Sequence, residues 1–485
     1  MRHRVRISPG LALGVATLVV FACREATGPS SNLAGSPGVT IIAGGQQSDT
    51  ANAQLTQALV LRITDSAGVP AGREVVRFLS VPADSQTGTP SALVSALTSL
   101  YYSTFAAEST DDSGEVAILI QLGRVAGHGR VAVTVPRFGY ADTVSFTILP
   151  GAAVRLGGLR DTAMYAGRSG PLHAFVADQN GNRRPDAVTF QSLNASVASV
   201  TSAGIVTAVS LGRAKILVQG PTPNLKDSTY VSVVPVGTIA AVVGAFRNFS
   251  PGTVVTMNLD GSGVTPVPQS AADNQYLSWT PDGTTLLGHR GYHVFAMDLT
   301  GAARLVVPAA AAFSEDVWPR YTATGGGWVY FAGVQGSVAL YRIRLDGTGL
   351  DSLPVGFGTQ PCPSPDGTRV AWTDAVSLHV YSYATGADTT LNLFGYAPHW
   401  SPDGTLIAFA TGDPGTISVM KPDGSARRVL GGGASFGWAF DWSPDGQWLV
   451  VYDYNLGSLA LLQVQTGLVL PLGYTTGLGQ PAWKP

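Results

Sequence analysis

The sequence Trp-Ser-Pro-Asp-Gly occurs twice in the C-terminal half of the chain, at residues 400–404 and 442–446. Close copies stand at 279–283 (Trp-Thr-Pro-Asp-Gly) and 363–367 (Pro-Ser-Pro-Asp-Gly), and a degenerate copy, Tyr-Thr-Ala-Thr-Gly, occupies 321–325. The fourth residues of successive copies are separated by 42, 42, 37 and 42 positions. A period near 42 residues indicates that one supersecondary unit is repeated along this part of the chain.

Each copy has the composition of a tight turn between two strands. Proline fixes φ at the first turn position, aspartate hydrogen-bonds the backbone that follows it, and glycine accepts the left-handed conformation. We therefore interpret the aspartates and glycines of the four complete copies as structural turn residues and not as calcium ligands. They are Asp282, Gly283, Asp366, Gly367, Asp403, Gly404, Asp445 and Gly446.

A strand-like run follows each copy, a second run comes next, and a further glycine turn closes the hairpin. This layout resembles the four-stranded blades of TolB-type β-propellers, and the resemblance covers residues 236–485. Five blades are complete. Strand-like runs at 239–245, 253–258 and 264–267 would join a final run at 480–484 in a sixth, composite blade that closes the ring and removes free sheet edges. TolB also carries an N-terminal α/β domain that this chain lacks, so a role in the Tol–Pal system is not implied.

The region before the repeat predicts two Ig-like β-sandwiches, at residues 38–150 and 151–235, because short strand-like runs alternate with turns. Asp65 to Gly72 and Asp112 to Gly114 resemble turns of the invasin-type bacterial Ig-like domain. The segment SVASVTSAGIVTAVSLGRAKILV, from Ser196, resembles the second common bacterial Ig-like family. Residues 82–110 exceed what the first pattern needs, and we interpret them as an inserted loop.

Residues 1–23 have the features of a lipoprotein signal peptide. Arginines precede a short apolar run at 11–21, and Val-Phe-Ala-Cys23 resembles a lipobox, which implies that Cys23 is acylated and anchors the protein to a membrane. An ordinary signal peptide with a chance cysteine is the alternative. Residues 24–37 form a flexible tether. Arg24 stands where an Asp retention signal would, which favours the outer membrane.

Composition and cysteine content support an all-β envelope protein. The 485 residues include 59 Gly and 31 Pro, charged residues make up 12%, and the net charge is −2, so nothing suggests a nucleic-acid partner. Besides Cys23 there is one cysteine, Cys362, so no internal disulfide is expected and a buried thiol is predicted in a propeller strand.

Candidate chemical sites are few. The segment Gly433 to Gly437 matches G-x-S-x-G, but a nucleophile elbow needs a following helix and a downstream histidine, and the last histidine is His399. His289 and His293 flank a predicted hairpin, which places them on loop and strand surfaces and not in a metal site. His399 precedes an inner-strand tryptophan and is predicted to line the channel as hydrogen-bonded structure. The tryptophans that repeat at one blade position are predicted to pack blades together: Trp279, Trp400, Trp442 and Trp483.

These observations predict an all-β, monomeric, non-catalytic envelope lipoprotein without catalytic residues, metal or cofactor. Two Ig-like modules would act as a spacer, and the propeller would bind a protein, peptide or glycan. The alternative function is a propeller hydrolase or lyase that acts on polysaccharide or peptide, with channel His and Asp side chains as acid and base.

Overall fold

A computed structural model describes residues 38–83, 88–99, 101–243, 252–270, 274–324, 326–374, 376–391, 393–412, 415–472, 475 and 477–485. These residues form 42 β-strands and two short 3₁₀ turns, Pro136–Phe138 and Ala309–Ala311, with no α-helix among them. No helix long and apolar enough to span a membrane occurs within these ranges. The all-β fold class predicted from the sequence is confirmed.

The first β-sandwich has two sheets, in the orders β1-β3-β7-β5 and β2-β9-β8-β4-β6. Alternate side chains of both sheets are buried, as in β4, where Val76 and Phe78 are inaccessible while Val75 and Leu79 face solvent. The strands are β1 (Gly38–Ala43), β2 (Ser48–Thr50), β3 (Leu59–Thr64), β4 (Val75–Ser80), β5 (Ala92–Ala96), β6 (Phe105–Ser109), β7 (Glu115–Leu122), β8 (Gly127–Val135) and β9 (Tyr140–Leu149).

The interpretation of residues 82–110 as an inserted loop is wrong. Within this segment β5 pairs with β7, and β6 pairs with β4, so each sheet takes one of its edge strands from it. Ala92 and Val94 are fully buried in the sandwich core. Ser and Ala dilute the apolar alternation of both strands, which is why the sequence pattern did not reveal them.

The second β-sandwich contains sheets of two, four and three strands, in the orders β10-β13, β11-β18-β17-β14 and β12-β16-β15. Its core includes Ala198, Val206, Ile216 and Val231. The strands are β10 (Arg155–Gly157), β11 (Thr162–Tyr165), β12 (Ser169–Pro171), β13 (Phe175–Ala177), β14 (Thr189–Ser192), β15 (Ala198–Val200), β16 (Ile205–Ala208), β17 (Gly212–Gln219) and β18 (Lys226–Val234). This sandwich and the C-terminal region belong to one compact unit, from which residues 178–183 are excluded.

The remaining strands form six four-stranded sheets arranged as the blades of a β-propeller. They are β19 (Thr238–Val243), β20 (Thr253–Asn258), β21 (Thr265–Pro266), β22 (Asn274–Trp279), β23 (Thr285–Arg290), β24 (His293–Asp298), β25 (Ala303–Leu305), β26 (Glu315–Thr322), β27 (Trp328–Gln335), β28 (Ser337–Arg344), β29 (Asp351–Ser352), β30 (Thr359–Pro363), β31 (Arg369–Thr373), β32 (Leu378–Ser382), β33 (Asp388–Thr390), β34 (Tyr396–Trp400), β35 (Ile407–Ala410), β36 (Ile417–Met420), β37 (Arg428–Leu430), β38 (Phe436–Trp442), β39 (Trp448–Asp453), β40 (Ser458–Gln463), β41 (Val469–Pro471) and β42 (Leu478–Trp483).

Five blades are continuous in sequence, and their inner strands are β22, β26, β30, β34 and β38. The sixth blade has the order β21-β20-β19-β42, so its inner strand comes from the end of the chain. Ile239 pairs with Trp483 and Val243 with Leu478 in an antiparallel register. The predicted composite blade and the six-bladed ring are confirmed.

The Pro-Asp-Gly segments connect the inner strand of a blade to its second strand. In each turn one aspartate oxygen accepts the backbone N–H two residues ahead, at 3.0 or 3.1 Å. Gly283, Gly367, Gly404 and Gly446 have φ between 65° and 70°. The hydrogen bonds from Ser364 and Thr368 stabilise the Asp366 carboxylate and lower its pKa. The turn geometry requires these residue types without reference to any ligand.

Tyr165, at the end of β11, joins the second sandwich to the propeller. Its hydroxyl donates to the Gly237 carbonyl at 3.0 Å and accepts the Leu259 N–H at 3.1 Å. Burial raises the pKa of Tyr165, so the phenol stays protonated. Ala163 and Val234 of the sandwich pack in the same apolar cluster as Ile239 and Trp448 of the propeller. The junction is therefore a packed interface in addition to a covalent link.

We expect Tyr165→Phe to lower the free energy of unfolding of this unit by about 1 kcal/mol, because the Gly237 carbonyl loses its hydroxyl donor at a half-buried site. Urea unfolding followed by tryptophan fluorescence measures the change. Tyr292→Phe is the matched control, since the Tyr292 side chain is 51% exposed between β23 and β24 of the same unit, whose unfolding the tryptophans report. Equal effects of the two substitutions would contradict a structural role for the Tyr165 bridge.

Candidate functional site

The six inner strands lie side by side around the axis of the ring, and each contains a β-bulge. The register with the neighbouring strand shifts once in every inner strand. In five of them the bulge holds a non-glycine residue with φ between 47° and 57°: Tyr276, Trp318, Gln360, Ala397 and Gln480. A left-handed non-glycine residue costs on the order of 1 kcal/mol, and bulges re-aim side chains. The axis is therefore lined by a repeated, strained backbone feature.

Side chains from adjacent blades hold these bulges in place. Gln480 Oε1 accepts the Tyr276 N–H at 3.1 Å, and Gln360 Oε1 accepts the Ala397 N–H at 2.7 Å. The His289 Nδ1 atom lies 3.4 Å from the Trp318 backbone nitrogen that donates to it. These bonds offset the strain and connect consecutive blades near the axis.

One residue of each inner strand directly precedes the aromatic or proline position of the repeat, and in five of the strands it lies two positions beyond the left-handed residue. The six equivalent residues differ in chemistry, and three of them are charged or titratable in the same network. They are Ser278, Arg320, Cys362, His399, Asp441 and Ala482.

Arg320, His399 and Asp441 form a polar network across the axis. The Arg320 guanidinium donates through Nη1 to the Leu277 carbonyl at 3.3 Å and through Nη2 to His399 Nε2. On the other side, His399 Nδ1 lies 3.7 Å from Asp441 Oδ1. Asp441 also accepts the backbone N–H of Trp442 and of Trp483, each at 3.0 Å. The network thus reaches five of the six inner strands.

His399 is neutral in this network. Burial and the nearby Arg320 charge lower the pKa of His399 to about 4, against the opposing effect of Asp441. A guanidinium has no acceptor, so the His399 Nε2 atom must accept and the proton of the neutral ring resides on Nδ1, towards Asp441. The side chain is 6% exposed. Both ring nitrogens therefore face protein groups, which leaves no nitrogen directed at a substrate.

Cys362 occupies the equivalent position in β30 and is buried, as predicted. Burial raises the pKa of its thiol to about 11, with Arg320 acting in the opposite direction. A protonated, inaccessible thiol is a poor nucleophile. Cys362 therefore contributes to the apolar cluster that also contains Val380 and Trp400.

The prediction that His289 lies on the surface is wrong. His289 is 5% exposed in β23 and packs against Tyr276 with ring centroids 5.3 Å apart. Its partner in the metal hypothesis, His293, bonds the buried Asp316 carboxylate at 2.8 Å instead. Among the described residues, no group of three or more His, Cys, Asp or Glu side chains is arranged to hold a metal ion.

The other candidate residues are placed as follows. Ser435 of the G-x-S-x-G match lies in the connection before β38, and a strand follows it. The repeated tryptophans are buried, and the indole N–H groups of Trp279 and Trp442 donate to the Ala482 and His399 carbonyls at 3.3 and 3.1 Å. Cys23 lies outside the described residues.

Sequence reasoning missed Arg320, Asp441 and the bulges, although one signal was present. Proline follows the bulge residue in four inner strands, at Pro319, Pro361, Pro398 and Pro481. Proline cannot donate to a sheet ladder and occurs within sheets chiefly at edges and bulges. A proline repeated at one position of an inner strand therefore predicts a bulge at that level of the ring.

We expect the stability of the propeller to fall as pH decreases from about 6.5 towards 4, because unfolded His399 binds a proton that the folded residue does not. In His399→Gln the side chain does not titrate, so the fall in unfolding free energy over this window should be smaller. Urea midpoints at about pH 7 and about pH 4.5 measure the difference.

His173→Gln is the matched control, because His173 is exposed in the second sandwich, within the same compact unit as the propeller. That variant should keep the wild-type pH dependence. An unchanged dependence in His399→Gln would show that His399 is protonated alike in the folded and unfolded protein.

Comparison with known families finds a match over residues 160–219 to the family described as bacterial Ig-like domain (group 2). The match lies within the second sandwich and confirms the resemblance predicted for it. The invasin-type resemblance of the first sandwich stays a prediction. No curated protein matches the sequence.

The solved structures that resemble this chain include two TolB proteins and one further β-propeller domain. TolB from Acinetobacter baumannii is 18% identical, covers 63% of this chain and 84% of its own, and has a TM-score of 0.42. A TolB from Agrobacterium tumefaciens is 18% identical over 49% of this chain and 89% of its own, with a TM-score of 0.38. The β-propeller domain of Cps50 from Myceliophteria thermophila is 15% identical over 49% and 86%, with a TM-score of 0.34. The chain is thus similar to a group-2 bacterial Ig-like domain over residues 160–219, and its six-bladed ring is established by its own strand order.

Proposed function

We propose that this protein is a non-catalytic component of the bacterial cell envelope, in which the two sandwiches act as a spacer and the propeller binds a protein or peptide partner. The bacterial Ig-like match and the order of modules support the envelope assignment. We define the upper face of the propeller as the connections that lead into the inner strands, together with the turns between second and third strands. This face supports the binding role.

One observation carries the binding role. Among the described residues of the upper face, five apolar side chains are between 45% and 71% exposed: Tyr292, Phe357, Val376, Phe394 and Leu456. All of them lie at the ends of the blades where inner strands begin, because alternating strands bring those connections to one side of the ring. The opposite ends of the blades also carry exposed apolar side chains, such as Val264 and Leu350, but the exposed aromatic rings of the described propeller residues are all on the upper face. Aromatic side chains are enriched at protein interfaces.

The alternative is a hydrolase or lyase that uses channel His and Asp side chains. The network brings His399 and Asp441 together, as that hypothesis requires. An acid–base pair must also reach a proton of the substrate within hydrogen-bond distance. The buried ring of His399, bonded to Arg320 on one side, favours a structural role and therefore the binding hypothesis.

We expect Phe357→Ser combined with Phe394→Ser to abolish capture of the partner, because the substitutions remove two exposed rings from the upper face. Full-length variants would be cross-linked in cells of the native host, and the products compared by mass spectrometry. The matched control is Leu299→Ser with Leu350→Ser, which alters side chains that are 40% and 41% exposed in turns at the opposite end of the blades. A cross-linked protein lost only from the upper-face variant supports the proposal, whereas identical products from all three proteins contradict it.

We further propose that Cys23 carries the lipid that anchors the protein to the envelope, with the outer membrane as its destination. Intact mass spectrometry of the membrane-extracted protein should give a mature chain that begins at Cys23 and carries acyl mass. Cys23→Ala should abolish that product and move the protein out of the membrane fraction. An unmodified, freely secreted wild-type chain would contradict the anchor and make an activity screen against polysaccharides and peptides the next step.

A further inference from the structure

The second sandwich is positively charged in a chain whose other regions are acidic. Residues 151–235 contain eight Lys or Arg and four Asp or Glu. Residues 38–150 contain six and nine of these, and residues 236–485 contain eleven and seventeen. An anionic partner is attracted by residues 151–235 and repelled by the regions on either side. The second sandwich is therefore the module whose charge favours such a partner.

Part of this charge lies on the outward face of the sheet β11-β18-β17-β14. Along β17, Ala214 and Ile216 point into the core, so the side chains between and beyond them point outwards. One end of this face is covered, because Val234 shares an apolar cluster with propeller side chains. We call the remainder the basic face, which is accessible and is defined by Gln191, Arg213, Lys215, Gln219, Lys226 and Tyr230.

Lys215 and Lys226 are the available cations of the basic face. Arg213 is already paired with Asp161 at 3.1 Å. Within the described ranges, no carboxylate oxygen lies within 4.0 Å of either lysine ammonium. Asp227 follows Lys226, but side chains alternate along β18, so Asp227 leaves the sheet on the opposite side. The basic face therefore has two cations that no described carboxylate neutralises.

Neutral hydrogen-bonding groups separate the two lysines. Lys215 is opposite Tyr230 in the register, and Lys226 is opposite Gln219. These two rows are four residues apart along β17, which corresponds to about 14 Å at about 3.4 Å per residue. Gln191 belongs to the row midway between them. An elongated partner that crosses these rows can reach both cations and the amides between them.

An acidic polysaccharide matches these groups better than a folded protein does. Its carboxylates can pair with both lysines, and its hydroxyls can donate to and accept from the glutamine amides. The centre of a protein–protein interface is instead depleted of charged residues and enriched in aromatic rings. The aromatic ring of the basic face, Tyr230, is already stacked against Arg213, whose guanidinium carbon lies 3.8 Å from the ring centre.

We propose that the basic face binds an acidic polysaccharide through Lys215 and Lys226. This site does not depend on the partner proposed for the upper face of the propeller.

Alginate, a polymer of uronic acids, is the probe, because every sugar ring carries a carboxylate. Full-length protein in a neutral detergent should bind immobilised alginate in biolayer interferometry at about 50 mM NaCl, and binding should weaken at about 300 mM because salt screens exposed charges. Lys215→Gln combined with Lys226→Gln should raise the dissociation constant about fivefold, as expected for the loss of two exposed ion pairs.

Lys421→Gln combined with Arg304→Gln is the matched control, because both residues are exposed in the propeller and the same charge is removed. This variant should bind alginate as the wild type does. Polyglutamate should bind more weakly than alginate, since it has no hydroxyls for the amides of Gln191 and Gln219. The proposal is overturned by absent alginate binding, by equal weakening in both double variants, or by polyglutamate that binds as tightly as alginate.

Discussion

Pairing between β19 and β42 is the interaction on which the rest of the propeller depends. It joins the two ends of the repeat region in one sheet, with Ile239 opposite Trp483. The same final strand contacts the inner strands β22 and β38 on either side of it. Its backbone accepts the Trp279 indole N–H through Ala482 and donates to Asp441 through Trp483. One strand of six residues thus completes a blade, fills the ring and anchors the channel network.

Closure of the ring by β42 also explains why a charged network can exist at the axis. An isolated cation or carboxylate placed among packed blades would be strongly destabilised. Neutral His399 lies between Arg320 and Asp441, and the carboxylate is held by two backbone N–H groups that only a closed ring brings together. Because these donors come from β38 and β42, loss of the final strand would leave Asp441 with fewer partners. Ring closure and the channel chemistry are therefore coupled.

The fold was predictable from the sequence because turn chemistry is local. Residues such as Asp366 and Gly367 favour the same turn conformation in any protein. Because this turn recurs along the chain, the blades, the composite closure and the six-bladed ring could be predicted. The strands at 92–96 and 105–109 were not predicted because their apolar and polar residues alternate only weakly. They form through pairing with β7 and β4, which the local sequence does not reveal.

The site was less predictable than the fold because it depends on contacts between distant residues. Arg320 and His399 are 79 positions apart, and bulges shift the register that aims them at each other. His289 was misplaced for a related reason. Its burial follows from Tyr276 and Trp318 of neighbouring inner strands, which no periodicity within β23 reveals.

Comparison of the blades distinguishes residues that every blade needs from residues that only one blade needs. Where the blades carry the same residue, as at the turn glycines, the residue meets a requirement that every blade has. Ser278, Arg320, Cys362, His399, Asp441 and Ala482 occupy the same place in the repeat, yet no two of these side chains are the same. Blade packing accounts for part of that variety, since Cys362 and Ala482 lie in different apolar clusters. The polar members, Arg320, His399 and Asp441, cannot be explained in that way, because their partners lie on other blades and their hydrogen bonds extend over five of the six inner strands.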